Sequence, residues 1–282
     1  MRDLSAYLDR IGYTGDLTPG PVLLNTLHLA HAARIPFENL DILLGRPIRV
    51  DLGSLQSKLV YEKRGGYCFE HNLLMAGMLQ ELGFAVTPLA ARVRLGGDRV
   101  RARTHMLLMV DLDDRQWLAD VGFGAKGFLE PLPFEAGRPF RRFHWTYRIA
   151  AEDRAWVLQS LEGGRWIDLY AFTLEPQHWI DYKVANYYVS THPDSQFAKG
   201  IVVQRPTPEA RYSLFDLDLS IDRGGGPETR TLADPDELLE VLEETFGLVF
   251  PPGTRFRFPL KHAAITRNGI GHESKTTRWG HR

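Results

Sequence analysis

The chain contains a single cysteine, Cys68, and its surroundings suit a nucleophile. It follows the glycine pair Gly65-Gly66 and precedes a stretch with helical periodicity, which predicts a place in the first turn of a helix. In that position, unpaired backbone N–H groups and the positive end of the helix dipole favour the thiolate form. Lone cysteines are otherwise most often small buried side chains. Assigning chemistry to Cys68 therefore depends on finding a base.

A histidine and an aspartate on a predicted hairpin supply that base. Segments 104–112 and 115–122 read as strands that flank a two-residue turn at 113–114. With a two-residue turn, His105 and Asp120 project from the same face of the sheet as diagonal neighbours. A carboxylate that orients an imidazole is what a nucleophilic thiol requires of its base.

His71 is a second candidate base, because it stands three residues after Cys68 on the same predicted helix. No carboxylate is placed to fix its tautomer. The pairs Cys68/His71 and His28/His31 also have the spacing of metal ligands. Neither pair has the further ligands that a zinc site needs, so no metal is predicted.

The composition of the chain excludes some classes of partner and indicates a cellular compartment. The 282 residues carry a formal net charge of -1, which gives no field for holding nucleic acid or an anionic membrane. No segment is long and apolar enough to span a bilayer, and residues 1–6 lack an apolar signal core. One cysteine excludes an internal disulfide. We therefore expect a cytoplasmic protein that is a monomer or a homodimer.

Four separated motifs contain or flank the candidate residues: Ile35-Pro36-Phe37-Glu38-Asn39-Leu40, Arg64-Gly65-Gly66-Tyr67-Cys68, Arg103-Thr104-His105 and Asp120-Val121-Gly122-Phe123-Gly124. Their order and spacing resemble those of the arylamine N-acetyltransferases, from the first predicted helix to about residue 220. The resemblance implies a triad of Cys68, His105 and Asp120. By double displacement, this triad would take acetyl from acetyl-CoA and pass it to an arylamine, arylhydrazine or N-arylhydroxylamine.

The resemblance also implies substrate contacts. Three aromatic side chains are expected to line the acceptor pocket: Phe37, Phe123 and Phe197. A loop is expected to approach coenzyme A through Gly124, Lys126 and Gly127, although alanine and lysine depart from the family's small-residue pattern there. Glu38 resembles an acid that supports the cysteine loop. In the chemical step, the backbone N–H groups of Cys68 and Thr104 are expected to stabilise the oxyanion.

Periodicity changes along the chain in a way that predicts an α+β fold. Helical spacing dominates up to Gly83, and period-two strands follow it. The family resemblance implies a helical bundle at 1–83, a central β-barrel at 84–190 and an α/β lid at 191–282 around a cysteine-protease-like core. The lid would end in a basic, partly ordered tail.

Individual elements are also predicted from local signals. Thr18-Pro19 is expected to begin a helix, with threonine as its N-cap. Segment 211–219 reads as one strand. Asp234 and Gly247 mark the start and end of a late helix.

Three other functions use the same residues. An amide synthase of macrolactam (ansamycin-type) biosynthesis would keep the triad and change the acyl donor. A thioester or amide hydrolase would use water as the acceptor. A binding protein with an inactive site would retain Cys68 without enhanced reactivity.

Overall fold

The structure is a computed structural model and describes residues 2–95 and 100–257. Its helices are α1 (Leu4–Ile11), α2 (Pro21–Arg34), α3 (Leu40–Leu43), α4 (Leu52–Leu55), α5 (Cys68–Glu81), α6 (Trp179–Thr191) and α7 (Pro235–Phe246). A π-helical segment, Gln56–Tyr61, continues α4, and a short 3₁₀ turn, Gln196–Ala198, follows α6. No helix in these two ranges is long and apolar enough to cross a membrane.

Local sequence signals set the ends of several helices. Asp234 caps α7 by accepting hydrogen bonds from two first-turn N–H groups, and Gly247 ends that helix in the left-handed region at φ 70°. Gly12 ends α1 in the same way at φ 63°. The predicted start and end of α7 are confirmed.

The predicted start of α2 is wrong by two residues. The N-cap is Gly20, and Pro21 is the first helical residue. Thr18 cannot serve as the cap because its N–H and its hydroxyl both donate to the carboxylate of Asp16, at 3.2 and 3.0 Å. Both Pro19 and Pro21 could be the proline of a first helical turn. The hydrogen bonds of Thr18 to Asp16 leave Pro21 as the one that begins the helix.

An antiparallel sheet of eight strands forms the middle of the chain and nearly closes into a barrel. The first strand of the chain, β1 (Phe37–Glu38), is part of a different sheet. The eight strands are β2 (Ala85–Val93), β3 (His105–Leu112), β4 (Arg115–Ala119), β5 (Leu132–Pro133), β6 (Phe140–Arg142), β7 (Trp145–Glu152), β8 (Ala155–Glu162) and β9 (Arg165–Phe172). They pair in the order β5-β4-β3-β2-β9-β8-β7-β6. A bridge between Ala136, in the segment after β5, and Ile149 of β7 connects the two ends of this strand order. The expected α+β fold with a central barrel is confirmed.

The β3–β4 hairpin has the predicted register. Leu112 pairs with Arg115, and the pairing continues to Leu108 opposite Ala119. The turn residues Asp113 and Asp114 have φ values of 51° and 58°, the conformation of a type I′ hairpin turn. The sequence therefore determines which side chains of this hairpin share a face.

A second sheet takes strands from both ends of the chain. Its strands are β10 (Val202–Pro206), β11 (Arg211–Phe215), β12 (Asp218–Asp222) and β13 (Pro227–Thr231), and β1 pairs with β10 at its edge. Phe37 lies opposite Gln204 in that pairing. Leu40 and Leu43 pack in one apolar cluster with α7.

The prediction of one strand at 211–219 is wrong, because the chain turns back within that segment. Strand β11 ends at Phe215, and β12 begins at Asp218 and pairs with it. The chain reverses after Phe215, where Asp216 has a positive φ of 54°. Aspartate tolerates this conformation better than most residues, yet its presence alone gives a weak turn signal.

Helix α6 was not predicted, because its apolar residues do not lie on one stripe. Its buried side chains are Tyr182, Asn186 and Val189. Large apolar side chains such as Val184 and Tyr187 are exposed on the opposite face. A helix of this kind lacks the amphipathic pattern that sequence reasoning depends on.

The proposed division after residues 83 and 190 stays a prediction. Two observations bear on it: β1 joins the C-terminal sheet, and α6 runs across residue 190. The predicted basic tail falls mostly in residues 258–282, which lie outside the described residues.

The two tight hairpins provide a stability test. We expect Asp114→Gly to raise the free energy of unfolding by about 0.5 kcal/mol, because glycine adopts a positive φ without the steric cost of a Cβ. Gly164→Ala, in the β8–β9 turn where φ is 78°, should lower it by about 1 kcal/mol. Urea denaturation measures both changes. Equal effects of the two substitutions would contradict this account of the turns.

Candidate active site

Cys68 is the first residue of α5 and is 4% exposed. Its Sγ atom lies 3.5 Å from the carbonyl oxygen of Thr104, just before β3. The carboxylate of Glu70 accepts the N–H of Tyr67 at 3.0 Å and so caps the helix start. The predicted place of the cysteine in a first helical turn is confirmed.

His105 and Asp120 meet beside this cysteine. Nε2 of His105 lies 2.7 Å from Oδ2 of Asp120, and both side chains are buried. This contact occupies Nε2 of His105, and the side chain of Cys68 also interacts with the imidazole. The diagonal His–Asp contact predicted from the hairpin is present.

Electrostatics favours a charged imidazole at this site. Burial by itself would lower the pKa of His105, but the Asp120 carboxylate, with help from Cys68, outweighs it and raises the pKa to about 10. For Asp120, burial acts to raise the pKa, and His105 and hydrogen-bond donors overcome it and lower the pKa. The pair is therefore an imidazolium–carboxylate ion pair at neutral pH.

The Asp120 carboxylate has further donors besides His105. Asn72 Nδ2 lies 2.9 Å from Oδ1, and the N–H of Gly122 donates to the same oxygen at 3.0 Å. A Cβ on Gly122 would come within 2.7 Å of the Cα of Cys68. Glycine at 122 therefore lets the aspartate loop approach α5 closely enough for these bonds to form.

Tyr170 completes the surroundings of the pair. Its ring lies 4.8 Å from that of His105 and 5.0 Å from that of Phe123. Burial and the nearby Asp120 carboxylate raise the pKa of its hydroxyl. The tyrosine hydroxyl therefore stays neutral beside the ion pair.

A buried ionic cluster lies beneath the loop that leads to Cys68. Arg64 contacts Glu38 at 2.6 Å and Asp41 at 3.2 Å. Lys58 contacts Glu70 at 2.8 Å and Asp41 at 3.0 Å. Losing one partner of such a cluster leaves an uncompensated buried charge, at a cost of about 3–5 kcal/mol. The contacts of Glu38 agree with its expected role as a support for the cysteine loop.

His71 belongs to a chain of buried polar groups and is not placed as a base. Its Nδ1 lies 2.9 Å from Nε2 of His31, and its Nε2 lies 3.2 Å from the carbonyl oxygen of Pro36. His31 Nδ1 in turn lies 2.9 Å from the hydroxyl of Tyr7. Both ring nitrogens of His71 therefore have partners other than the thiol.

The three candidate pocket residues make two separate sets of ring contacts. Phe197 stacks on Tyr67 at 5.6 Å and contacts Phe37 at 5.7 Å. Phe123 lies edge-on to His105 at 5.0 Å. Phe123 and Phe197 are partly exposed, whereas Phe37 is buried.

The candidate coenzyme A loop is held by contacts within the protein. Lys126 forms a half-exposed ion pair with Glu162, at 2.6 Å. The N–H of Gly127 donates to the carbonyl of Gly124, which has φ 79°. The Ala125 N–H donates to Gln204. Two of the loop amides are therefore already satisfied without a ligand.

Thr104, the second candidate oxyanion donor, also has a partner. Its N–H donates to the carbonyl oxygen of Ala102 at 2.9 Å. The Cys68 N–H, by contrast, belongs to a first helical turn, where amides have no partner within the helix. Of the two expected oxyanion donors, the Thr104 amide is therefore engaged by a carbonyl oxygen, whereas the Cys68 amide has no partner within its helix.

Sequence reasoning missed Asn72, although a signal was available. Asn72 follows Cys68 by four residues, so both side chains lie on the same face of α5. The cluster partners Lys58 and Asp41 gave no comparable signal.

Within the described ranges, no group of three or more His, Cys, Asp and Glu side chains is arranged to hold a metal ion.

The His71 contacts predict a pH effect on stability. Burial lowers the pKa of His71 from 6.5 to about 4, so its contribution is present above pH 6.5 and is lost as the pH falls towards 4. In that window, His71→Gln should lose unfolding free energy less steeply than the wild type, by about 1.4 kcal/mol per pH unit. Urea denaturation at several pH values measures the slopes. Identical slopes would show that His71 is not buried in its neutral form.

Comparisons with known proteins agree with this geometry. The model of the family described as N-acetyltransferase matches residues 22–253. An arylamine N-acetyltransferase of Mycobacterium tuberculosis is 43% identical over 253 residues, covering 87% of this chain and 89% of the relative. A Salmonella typhimurium arylamine N-acetyltransferase / N-hydroxyarylamine O-acetyltransferase is 37% identical over 248 residues, covering 87% and 88%.

Solved structures give the same result for the fold. The structure of Mycobacterium marinum arylamine N-acetyltransferase in complex with CoA superimposes with a TM-score of 0.83 at 37% identity, covering 87% of this chain and 92% of that one. Both the sequence and the fold therefore match over most of their length. The chain belongs to the arylamine N-acetyltransferase family and is an acyltransferase.

Proposed function

We propose that this protein transfers acetyl from acetyl-CoA to Cys68 and then to an arylamine, arylhydrazine or N-arylhydroxylamine. The observation that carries the proposal is the buried His105–Asp120 ion pair beside a thiol at a helix N-terminus. Imidazolium next to a thiol favours thiolate, which is the reactive form. The family relationship supplies the donor and the class of acceptor.

In the first half-reaction the thiolate of Cys68 attacks the thioester carbonyl of acetyl-CoA. A tetrahedral oxyanion forms and collapses, the bond to the coenzyme A sulfur breaks, and His105 gives its proton to the departing thiolate. The products are an acetylated Cys68, free coenzyme A and a neutral imidazole. Asp120 fixes the ring orientation and stabilises its charged form.

In the second half-reaction the amine attacks the acetyl-cysteine carbonyl. His105 takes the proton that the nitrogen loses, and the Cys68 sulfur leaves as a thiolate, which restores the resting pair. Arylamines suit this step because their nitrogen is largely unprotonated at neutral pH. An alkylamine would be mostly ammonium and a poor nucleophile.

Backbone N–H groups stabilise the oxyanion in both steps. The Cys68 amide is well placed because first-turn amides of a helix lack intrahelical partners. Thr104 would contribute only after its amide releases the Ala102 carbonyl. Cys68 is therefore the stronger of the two proposed donors.

Substrate contacts follow from the surroundings of the cysteine. Phe123 and Phe197 present partly exposed ring surface to an aromatic acceptor, and Phe37 packs behind Phe197. For coenzyme A, the proposed contacts are Gly124, Lys126 and Gly127. A phosphate would compete with Glu162 for the Lys126 ammonium group.

The compartment and oligomeric state belong to the same proposal. A single reactive thiol suits the reducing cytoplasm. A monomer suffices for the chemistry, because one chain supplies all three triad residues, and a homodimer would not change the proposed mechanism.

Intact mass spectrometry tests the covalent step. Protein mixed with acetyl-CoA and no acceptor should gain about 42 Da, and an added arylamine should discharge the adduct. Cys68→Ala should gain nothing, and since no other cysteine exists, no second thiol can mimic the result. Coenzyme A release without an adduct would indicate a hydrolase. No release at all from folded protein would refute acetyl-CoA as donor and favour the amide-synthase or binding function.

A charge-removing substitution tests the role of Asp120. Asp120→Asn keeps the side-chain shape but removes the charge that holds His105 as imidazolium, so kcat should fall by about a thousandfold. Asp111→Asn, at an exposed position of the same hairpin, is the matched control and should leave kcat unchanged. Steady-state acetylation of an arylamine measures both. Equal activity of the two variants would exclude Asp120 from the mechanism.

A further inference from the structure

We infer that His28, on α2, is a positioning residue that holds Asp120 in place through the backbone. The N–H of Asp120 donates to Nε2 of His28 at 3.0 Å, and Nδ1 of His28 lies 2.9 Å from the carbonyl oxygen of Leu129. The histidine is completely buried. This inference rests on the proposed role of the triad.

The contacts of His28 fix its tautomer. A backbone N–H can donate only to an unprotonated ring nitrogen, so Nε2 must be the acceptor. Nδ1 then carries the hydrogen and donates it to Leu129. Both nitrogens are used by the neutral ring, and protonation would turn the acceptor facing Asp120 into a second donor.

The surroundings keep His28 neutral. Its titratable neighbours are the Asp120 carboxylate, on the loop after β4, and His31, one turn along α2. The ring of Phe128 stacks on the other side at 5.4 Å. Burial lowers the pKa of His28 to about 4, against the opposing effects of Leu129 and Asp120. The acceptor is therefore present throughout the neutral range.

The location of this bond gives it a specific effect. The β3–β4 ladder ends at Ala119, so Asp120 is the first residue that no strand partner holds. Asn72 and Gly122 fix its carboxylate, whereas His28 fixes its backbone. An aspartate free to shift would no longer align His105 with the thiol.

His28 also connects the triad to a second functional region. Leu129, its other partner, lies just after the loop that carries the proposed coenzyme A contacts. Phe128, which stacks on the imidazole, precedes it in the same segment. One neutral side chain on α2 therefore fixes the aspartate and the end of that loop relative to each other.

A matched pair of variants separates the two contacts of His28. Glutamine places an amide oxygen near the position of Nε2 and can still accept the Asp120 N–H. Asparagine reaches only the position of Nδ1, so it can serve Leu129 but leaves the Asp120 N–H unpaired. Alkylation of Cys68 by iodoacetamide across a pH series reads the thiolate–imidazolium pair directly, without acetyl transfer.

We expect His28→Asn to slow alkylation at neutral pH by about tenfold and to shift its pH profile, while His28→Gln restores most of the rate and the wild-type profile. Thermal melting confirms that the variants are folded. A folded His28→Asn with the wild-type rate and profile would overturn the inference, as would equal impairment of both variants. Wild-type protein that fails to acetylate yet shows these differences would refute the proposed function alone.

A measurement on the wild type remains decisive if His28→Asn does not fold. In nitrogen-15 NMR spectra of histidine-labelled protein, His28 should be neutral with its hydrogen on Nδ1 at neutral pH. A charged ring, or a hydrogen on Nε2, would rule out acceptance of the Asp120 N–H.

Discussion

The buried charge of Asp120 is the constraint on which the rest of the site depends. An ionised carboxylate removed from water is costly unless charged and hydrogen-bonding partners replace its hydration. His105, Asn72 and Gly122 supply those partners here. Because the surroundings have a low dielectric, the same carboxylate raises the pKa of His105 strongly. A structural requirement, the pairing of a buried acid, thus produces the cation that activates the thiol.

Helix α5 combines the two halves of the chemistry. Its first residue is Cys68, and one turn later Asn72 binds both the Asp120 carboxylate and the carbonyl of Met106 at 2.7 Å. The helix dipole and the carboxylate network therefore act from one rigid element. Such closeness needs Gly122, since any side chain there would collide with the backbone of Cys68. The contacts of Asn72 and Gly122 thus hold α5 against the barrel at the active site.

Polar groups outside the triad hold this helix from below. The cluster of Glu38, Lys58 and Arg64 with its acidic partners ties β1, the π-helical segment and the cysteine loop together. Hydrogen bonds from Tyr7 to His31 and from His31 to His71 likewise join α1 and α2 to α5. Each of these contacts replaces water that burial has removed, and an unmatched group would cost more than a matched one contributes. The polar groups around the site are therefore paired with one another within the protein.

The sequence by itself determined the local features of this protein. Cys68 in a first helical turn, the His105–Asp120 hairpin and the caps of α7 all followed from short-range periodicity, turn chemistry and spacing. Only the tertiary structure decided that His28 supports Asp120, that Lys58 lies beside Asp41 and Glu70, and that β1 joins a sheet built from the other end of the chain. Residues within one turn or hairpin are placed by backbone geometry, which the sequence reports directly. Contacts between distant segments depend on how whole elements pack, and no local pattern records that outcome.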